Sequence, residues 1–224
     1  MHPFVHLHVH SQYSLLDGQA SIPKLVDKAI ADGMPGIALT DHGNMFGVKE
    51  FFNYIKKKNG ARKSKIKDLQ GLIARLEDGT ATDKEKGEDP SASLAKARLE
   101  LDTIPKADFK GIIGCEVYVA RRRMFNREKA MGDYSGYHLI LLAKNMQGYK
   151  NLIKIVSKAY TEGSYGRPRT DRVELEKYHE GLICLSACLA GSVNQALLNG
   201  QTEKAEEIAL WHKKIFGEDY YIEI

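Results

Sequence analysis

His6, His8 and His10 alternate with Val5, Leu7 and Val9 in the stretch VHLHVHSQYSLLD, which runs from Val5 to Asp17. Successive side chains of a β-strand point to opposite faces, so this spacing places three imidazoles on one face and three aliphatic groups on the other. An imidazole taken out of water needs a partner for each ring nitrogen, and neutral imidazole is the commonest protein ligand for metals. Groups of the same kind recur along the chain: Asp17 closes the stretch, Asp41 and His42 stand in TDHGNMFG, Glu116 in GIIGCEVYVA, His138 in YHLILLA, and Cys188 in LICLSACLAG. Glu116 is flanked by residues that would bury it, and a buried carboxylate calls for a cation or a basic partner.

Imidazoles, carboxylates and a thiolate together suit zinc, manganese or iron better than calcium or magnesium. Six or seven such groups exceed what one ion takes, which predicts two or three ions holding a bridging water. Ions about 3.5 to 4 Å apart clamp the attacking and leaving oxygens of an in-line displacement at phosphorus and bring the pKa of water towards about 7. The predicted chemistry is phosphoester hydrolysis. Asp17 fits a bridging carboxylate, and Asp41, beside His42, is predicted to orient a histidine or to handle protons. His6 lies deeper in the strand and reads as a hydrogen-bonded core residue. Cys188 fits either a ligand or a packing cysteine, and Cys115 and Cys184 read as packing. Arg121 to Arg123 and the lysines between Lys56 and Lys67 fit solvated faces, with nucleic-acid contact as the alternative.

The elements that would position these groups alternate. After the first strand, Ser21 caps a helix over 22–32 with Pro23 in its first turn, and a buried strand over 36–40 delivers Asp41 and His42. A helix over 48–58 follows, with Phe51, Phe52 and Ile55 inward. Residues 59–108 are rich in charge and hold two helical patterns, the second introduced by Asp89 and Pro90, around a mobile loop at 77–88. The strand over 111–120 carries Glu116. The strand over 137–143 is expected antiparallel to it, which would bring His138 beside the strand end bearing Glu116. A helix over 147–160 buries Leu152, Ile153 and Val156. A Gly/Tyr/Arg/Pro loop, a short helix opened by Asp171, a strand over 181–187, helices after Gly191 and over 202–216, and a last strand complete the pattern. Such alternation is an α/β fold. Ligands from five strand ends favour a closed barrel over a doubly wound sheet, and no glycine-rich phosphate loop supports the latter.

The 224 residues carry a net charge of +4 and are 43% hydrophobic, as in an ordinary globular protein with a large core. Three cysteines argue against a secreted disulfide framework. No export signal is present and no apolar run approaches the roughly 20 residues that span a bilayer, so a cytoplasmic protein without a membrane partner is expected. The alternating end, DYYIEI, predicts that the chain is cut from a longer one.

FVHLHVHSQYSLLDG, GIALTDHGNMFG, GIIGCEVYVA, YHLILLAKNMQGYKNL, RPRTDRVELEKYHEGLICLSACLAG and YYIEI resemble, in order, the polymerase and histidinol phosphatase (PHP) domain at the N-terminus of bacterial DNA polymerase III alpha subunits. The resemblance implies a PHP domain over residues 1–224, a distorted seven-stranded β/α barrel of TIM-like type, with a helical hairpin inserted at 60–108. It implies a site for up to three ions of zinc, manganese or iron on His8, His10, Asp17, His42, Glu116, His138 and Cys188, and it leaves out His6. The family's last ligands, an Asp-x-His pair, would lie past the final strand, so the cluster is expected to be incomplete.

Three functions follow from the resemblance. The domain would belong to a DNA-directed DNA polymerase acting in replication, with its own metal-dependent 3′-to-5′ phosphodiesterase activity. Alternatively it would be a structural domain docking a proofreading exonuclease, or a free-standing histidinol-phosphatase-like phosphoesterase. The implied partners are the rest of the alpha subunit, DNA and an exonuclease subunit. The fragment alone is not expected to polymerise DNA.

Overall fold

In the computed structural model, which describes residues 4–223, the apolar run around Glu116 forms the longest strand, β2 (Lys110–Ala120), on which the sheet is assembled. β3 (Gly136–Ala143) pairs with it antiparallel, as expected, with Ile140 opposite Glu116 and His138 opposite Tyr118. β6 (Leu182–Leu185) lies antiparallel on β3, and β7 (Tyr220–Tyr221) lies parallel on β6. On the other side of β2 are β1 (Gly36–Leu39) and β5 (Arg167–Thr170), the latter parallel and followed outward by β4 (Ser164–Tyr165). The fold is mixed α/β, consistent with a PHP-type barrel.

Two compact units make up the chain, Met1–Phe51 with Gly111–Ile224 and Phe52–Lys110. In the first, α5 (Met146–Thr161) lays Leu152, Ile155 and Val156 on a core of Cys115, Val117, Leu139, Leu141 and Cys184. Ile155 takes the place expected for Ile153, which is 39% exposed, because a stripe at 152, 155, 156 and 159 follows the helical period. α1 (Ile22–Ala31) buries Ile22, Val26 and Ala29, and α6 (Arg172–Tyr178) is capped by Asp171. α7 (Ser192–Leu198) and α8 (Thr202–Phe216) follow β6. Ser21 stands at the start of α1, but its hydroxyl makes no capping bond.

Residues 4–10 depart from the expected regular strand. They run beside β1, where Ala38 N donates to His6 O at 2.9 Å and Thr40 N to Val9 O at 2.8 Å. Three residues on one side span two on the other, which is a bulge, and the Thr40 hydroxyl meets the Val9 amide in place of a backbone carbonyl. The bulge divides the three histidines. His6 is exposed, with its ring edge-on to Phe4, and is no core residue; His8 and His10 turn inward.

The segment expected to be a loop at 163–170 contains β4 and β5. Proline is depleted in strands and arginine gives no strand signal, but Arg169 is wholly buried. Its Nε donates to Gly163 O at 3.1 Å and its Nη2 to Met124 O at 2.9 Å and Asn126 O at 3.2 Å, while Nη1 donates to Asp133 O. One guanidinium thus gathers four backbone carbonyls.

Helix α2 (Val48–Glu77) is continuous where two helices were expected, and Phe52 is 58% exposed rather than inward. In the second unit, α3 (Asp83–Lys86) interrupts the stretch expected to be unstructured, held by a reciprocal capping box between Thr82 and Glu85. α4 (Pro90–Thr103) begins at Asp89, whose carboxylate accepts from the Ser91 and Ala92 amides.

Candidate metal centre

Glu116 is 1% exposed and is placed by its own backbone: its N donates to Asp41 O at 3.1 Å, and its O accepts from Gly43 N at 2.8 Å. These bonds set His42 beside it. His42 Nδ1 lies 3.0 Å from Glu116 Oε2, His10 Nε2 2.6 Å and His8 Nε2 3.2 Å from the same oxygen. On the other oxygen, His138 Nδ1 lies 2.9 Å away, and Cys188 Sγ is 3.9 Å from it and 3.8 Å from His138 Nδ1. Asp17, half exposed, meets His10 Nδ1 and lies 3.3 Å from His42 Nε2. All seven residues expected as ligands therefore converge around one carboxylate.

The turn that brings Asp17 back is tightly made. A Cβ at Gly18 would stand 2.0 Å from Ser11 O, so only glycine passes there. Asp41 accepts from Ser11 N at 2.7 Å, Ser11 Oγ at 2.8 Å and Ser14 Oγ at 2.6 Å, and Ser14 Oγ in turn accepts from His42 N at 3.1 Å. Both oxygens of Asp41 thus hold the 11–14 turn rather than a histidine ring, contrary to its expected role. Among the described residues, the two non-glycine residues with positive φ are Leu16 (+67°) and Ala187 (+61°). Each immediately precedes a predicted ligand, Asp17 or Cys188, and left-handed backbone at such places costs on the order of 1–3 kcal/mol.

Sequence reasoning passed over two neighbours. Tyr118 stacks on His42 with ring centroids 5.8 Å apart and meets the edge of His138 at 5.2 Å. It stands two residues after Glu116, so strand alternation already put it on the same face. Glu223 Oε1 is 2.9 Å from His8 Nδ1, a contact that only the tertiary fold creates.

His10 Nε2, His42 Nδ1 and Glu116 Oε2 are buried and within 2.6–3.0 Å of one another's partner atom, yet none makes a hydrogen bond of acceptable direction. Buried polar atoms that converge without bonding each other are arranged around a common point, which is what ligands of a cation do. Three overlapping triads have this character, His8–His10–Glu116, His10–Asp17–His42 and His42–Glu116–His138, with ligand atoms within 4.8 Å of each other. The donor set fits transition-metal ions.

The electrostatics agree. Burial alone would raise the Glu116 carboxyl, but four imidazoles around it hold it far below the usual carboxylate range. Burial opposes charge on His8, yet the nearby Glu116 and Glu223 carboxylates outweigh burial and push its pKa up to about 10; His10 is raised too, by Glu116 and Asp17 against the same burial. These rings hold protons that a divalent cation must displace. Loading with zinc or manganese at pH 7.5 is therefore expected to release about one proton or more per chain. Calorimetry in buffers of different ionisation enthalpy measures this release, and a buffer-independent heat would show that His8 and His10 are not ligands.

Residues 6–224 match the family described as PHP domain. The chain belongs to the PHP domain family. This PHP domain is 40% identical over 221 residues to DNA polymerase III subunit alpha of Borreliella burgdorferi, covering 99% of the chain and 15% of the relative. It is 40% identical over 222 residues to the same subunit of Treponema pallidum, and 36% over 226 residues to that of Aquifex aeolicus, each with 99% and 15% covered. The PHP domain thus spans about 15% of the length of these relatives. Among its described residues no helix is long and apolar enough to cross a membrane.

Proposed function

We propose that this chain is the PHP domain of a replicative DNA polymerase, a DNA-directed DNA polymerase of the cytoplasm, and that it hydrolyses phosphodiesters at 3′ ends with the aid of bound metal ions. The observation that carries the reading is the convergence of ligand atoms from His8, His10, His42 and Glu116 without hydrogen-bond geometry. Zinc or manganese, with iron as a further fit, would be held by His8, His10, Asp17, His42, Glu116, His138 and Cys188 in up to three positions. When bound, such ions supply Lewis acidity at phosphorus and a deprotonated water near neutral pH. Asp41, through Ser11 and Ser14, keeps the turn before Asp17 in place.

A nucleic-acid substrate is supported by the cavity over the centre, about 630 Å³, which Asp17, His42 and His138 share with Phe46, Tyr160 and Arg167. Phe46 is 66% exposed and Tyr160 43%, with ring centroids 6.1 Å apart. Exposed aromatics beside an arginine offer a base a stacking surface and its phosphate a cation, features that a small phosphomonoester does not need. The partners on this reading are DNA, the remainder of an alpha subunit and an exonuclease subunit.

We read the barrel as seven-stranded and distorted, closed by the 4–10 segment, and residues 60–108 as a helical hairpin inserted in a PHP domain covering 1–224. The ion pairs Arg98–Glu77 and Lys65–Glu100, and Arg62 with Asp108, support the hairpin.

The test is metal content and hydrolysis on the same preparations. The chain, stripped and reloaded with zinc or manganese, is expected to retain one or more ions and to shorten a 5′-labelled single-stranded oligonucleotide from its 3′ end. His8→Ala/His10→Ala should lose both. Ions retained by wild type without hydrolysis would favour the structural role, in which the domain docks a proofreading exonuclease; ions retained equally by the double variant would overturn the site.

A further inference from the structure

A second cavity, about 370 Å³, is walled by Val119 and Ala120 of β2 and by Tyr137, His138 and Leu139 of β3, where α6, α7 and α8 meet these strand ends. Its wall holds five cationic side chains, Arg121, Arg122, Arg123, Arg172 and Lys204, and no carboxylate. Three of the five are answered from outside the cavity: Arg122 by Asp133 and Glu128, Arg123 by Asp171 at 2.7 Å, and Lys204 by Glu207 at 2.7 Å.

Arg121 and Arg172 are not. Arg121 donates to Tyr137 Oη at 3.0 Å with its guanidinium 4.7 Å from that ring, and Arg172 lies 4.8 Å over Trp211. Neither has a carboxylate within ion-pair distance among the described residues. An aromatic plate beneath a guanidinium fixes its plane while leaving its N–H groups free to donate.

We propose that this cavity is an anion site for phosphate groups, with Arg121 and Arg172 as its binding residues and Lys204 contributing charge. Each guanidinium is pre-oriented by an aromatic ring and lines a wall that holds no carboxylate, guanidiniums bind phosphate oxygens in pairs, and a cavity larger than one phosphate leaves room for the sugar attached to it. The phosphate comes either from a free nucleotide or from the backbone of a nucleic-acid strand. In the second case the shared wall at His138 would let one strand occupy this cavity and the metal centre together, an extension that rests on the function proposed above. Phosphate binding itself does not.

Trp211, the single tryptophan, lies against Arg172 and reports on the cavity through that guanidinium. Inorganic phosphate, deoxyadenosine monophosphate and a ten-nucleotide single strand are titrated into the whole chain at low salt with a chelator present, so that metal chemistry plays no part. A saturable change in Trp211 fluorescence is expected with at least one probe. Saturation by phosphate or by the nucleotide identifies a small-ligand site; saturation by the strand alone identifies a backbone site. In either case Arg121→Gln and Arg172→Gln, which keep the aliphatic stem and a polar end but remove the guanidinium and its charge, should each weaken binding by about tenfold or more. Circular dichroism checks that both variants are folded, and calorimetry repeats the comparison for Arg172→Gln independently of its contact with Trp211. No saturable binding of any probe, or wild-type affinity retained by both folded variants, would overturn the site.

Discussion

Glu116→Gln is expected to lower zinc or manganese affinity by about 100-fold or more, at or above the range seen when metal-site support is removed. Glutamine keeps the shape of the side chain but supplies one acceptor oxygen and an NH₂ group. That group would point at imidazole nitrogens which now share two carboxylate oxygens at 2.6–3.2 Å. The same change alters the pH response. His8, with its pKa raised from 6.5 to about 10, contributes stability that is present in full below pH 6.5 and lost as pH rises towards 10. In Glu116→Gln that dependence shrinks, because one of the two carboxylates that stabilise the charged ring is gone while Glu223 stays. Metal-free wild type should therefore lose stability between about pH 6.5 and 10 in denaturant titrations, and the variant should lose less over the same range. An unchanged slope together with unchanged metal content would remove Glu116 from the centre of the site.

Arg169→Leu is expected to cost about 3–5 kcal/mol of unfolding free energy, since it strands four carbonyls at once, three of them on buried residues. Gly163 O, Met124 O, Asn126 O and Asp133 O all accept from the one guanidinium. Arg169→Lys should recover little, because an ammonium has three donors on one atom and cannot fan out over the same acceptors. The connection from Arg121 to Ser135 should also become open to trypsin, as its anchor at Met124 is lost. Guanidinium midpoints and limited digestion measure the two effects. A loss below about 1 kcal/mol would mean that water replaces the guanidinium, and the clamp would be ornamental to the fold.

Much of the centre was legible because its chemistry is costly anywhere else. A carboxylate in GIIGCEVYVA and paired imidazoles in VHLHVH have few structural uses, and strand alternation places them on defined faces. The antiparallel pairing of β2 and β3 was readable from the basic connection between them, which lacks the apolar stripe of a crossover helix, and it brought His138 opposite Tyr118, next to Glu116. Other readings failed for identifiable reasons. Period two assigned His6, His8 and His10 to one face, but a bulge answered by the Thr40 hydroxyl sent His6 to solvent. Asp41 looked like a histidine's partner because His42 follows it, whereas folding gave its oxygens to Ser11 and Ser14.

Residue types and local periods alone determined which groups could bind a cation and the α/β rhythm, while the family was visible only as a resemblance of ordered motifs. These depend on side-chain chemistry and on backbone repeats of two and 3.6 residues, both written in neighbouring letters. Only the tertiary structure decided that Glu223 meets His8 across 215 residues, that Arg169 ties down the 124–133 backbone, and that Arg121 and Arg172 face one cavity without a carboxylate. Those contacts come from elements distant in sequence, and their geometry is set by how strands and helices pack, for which no local pattern exists.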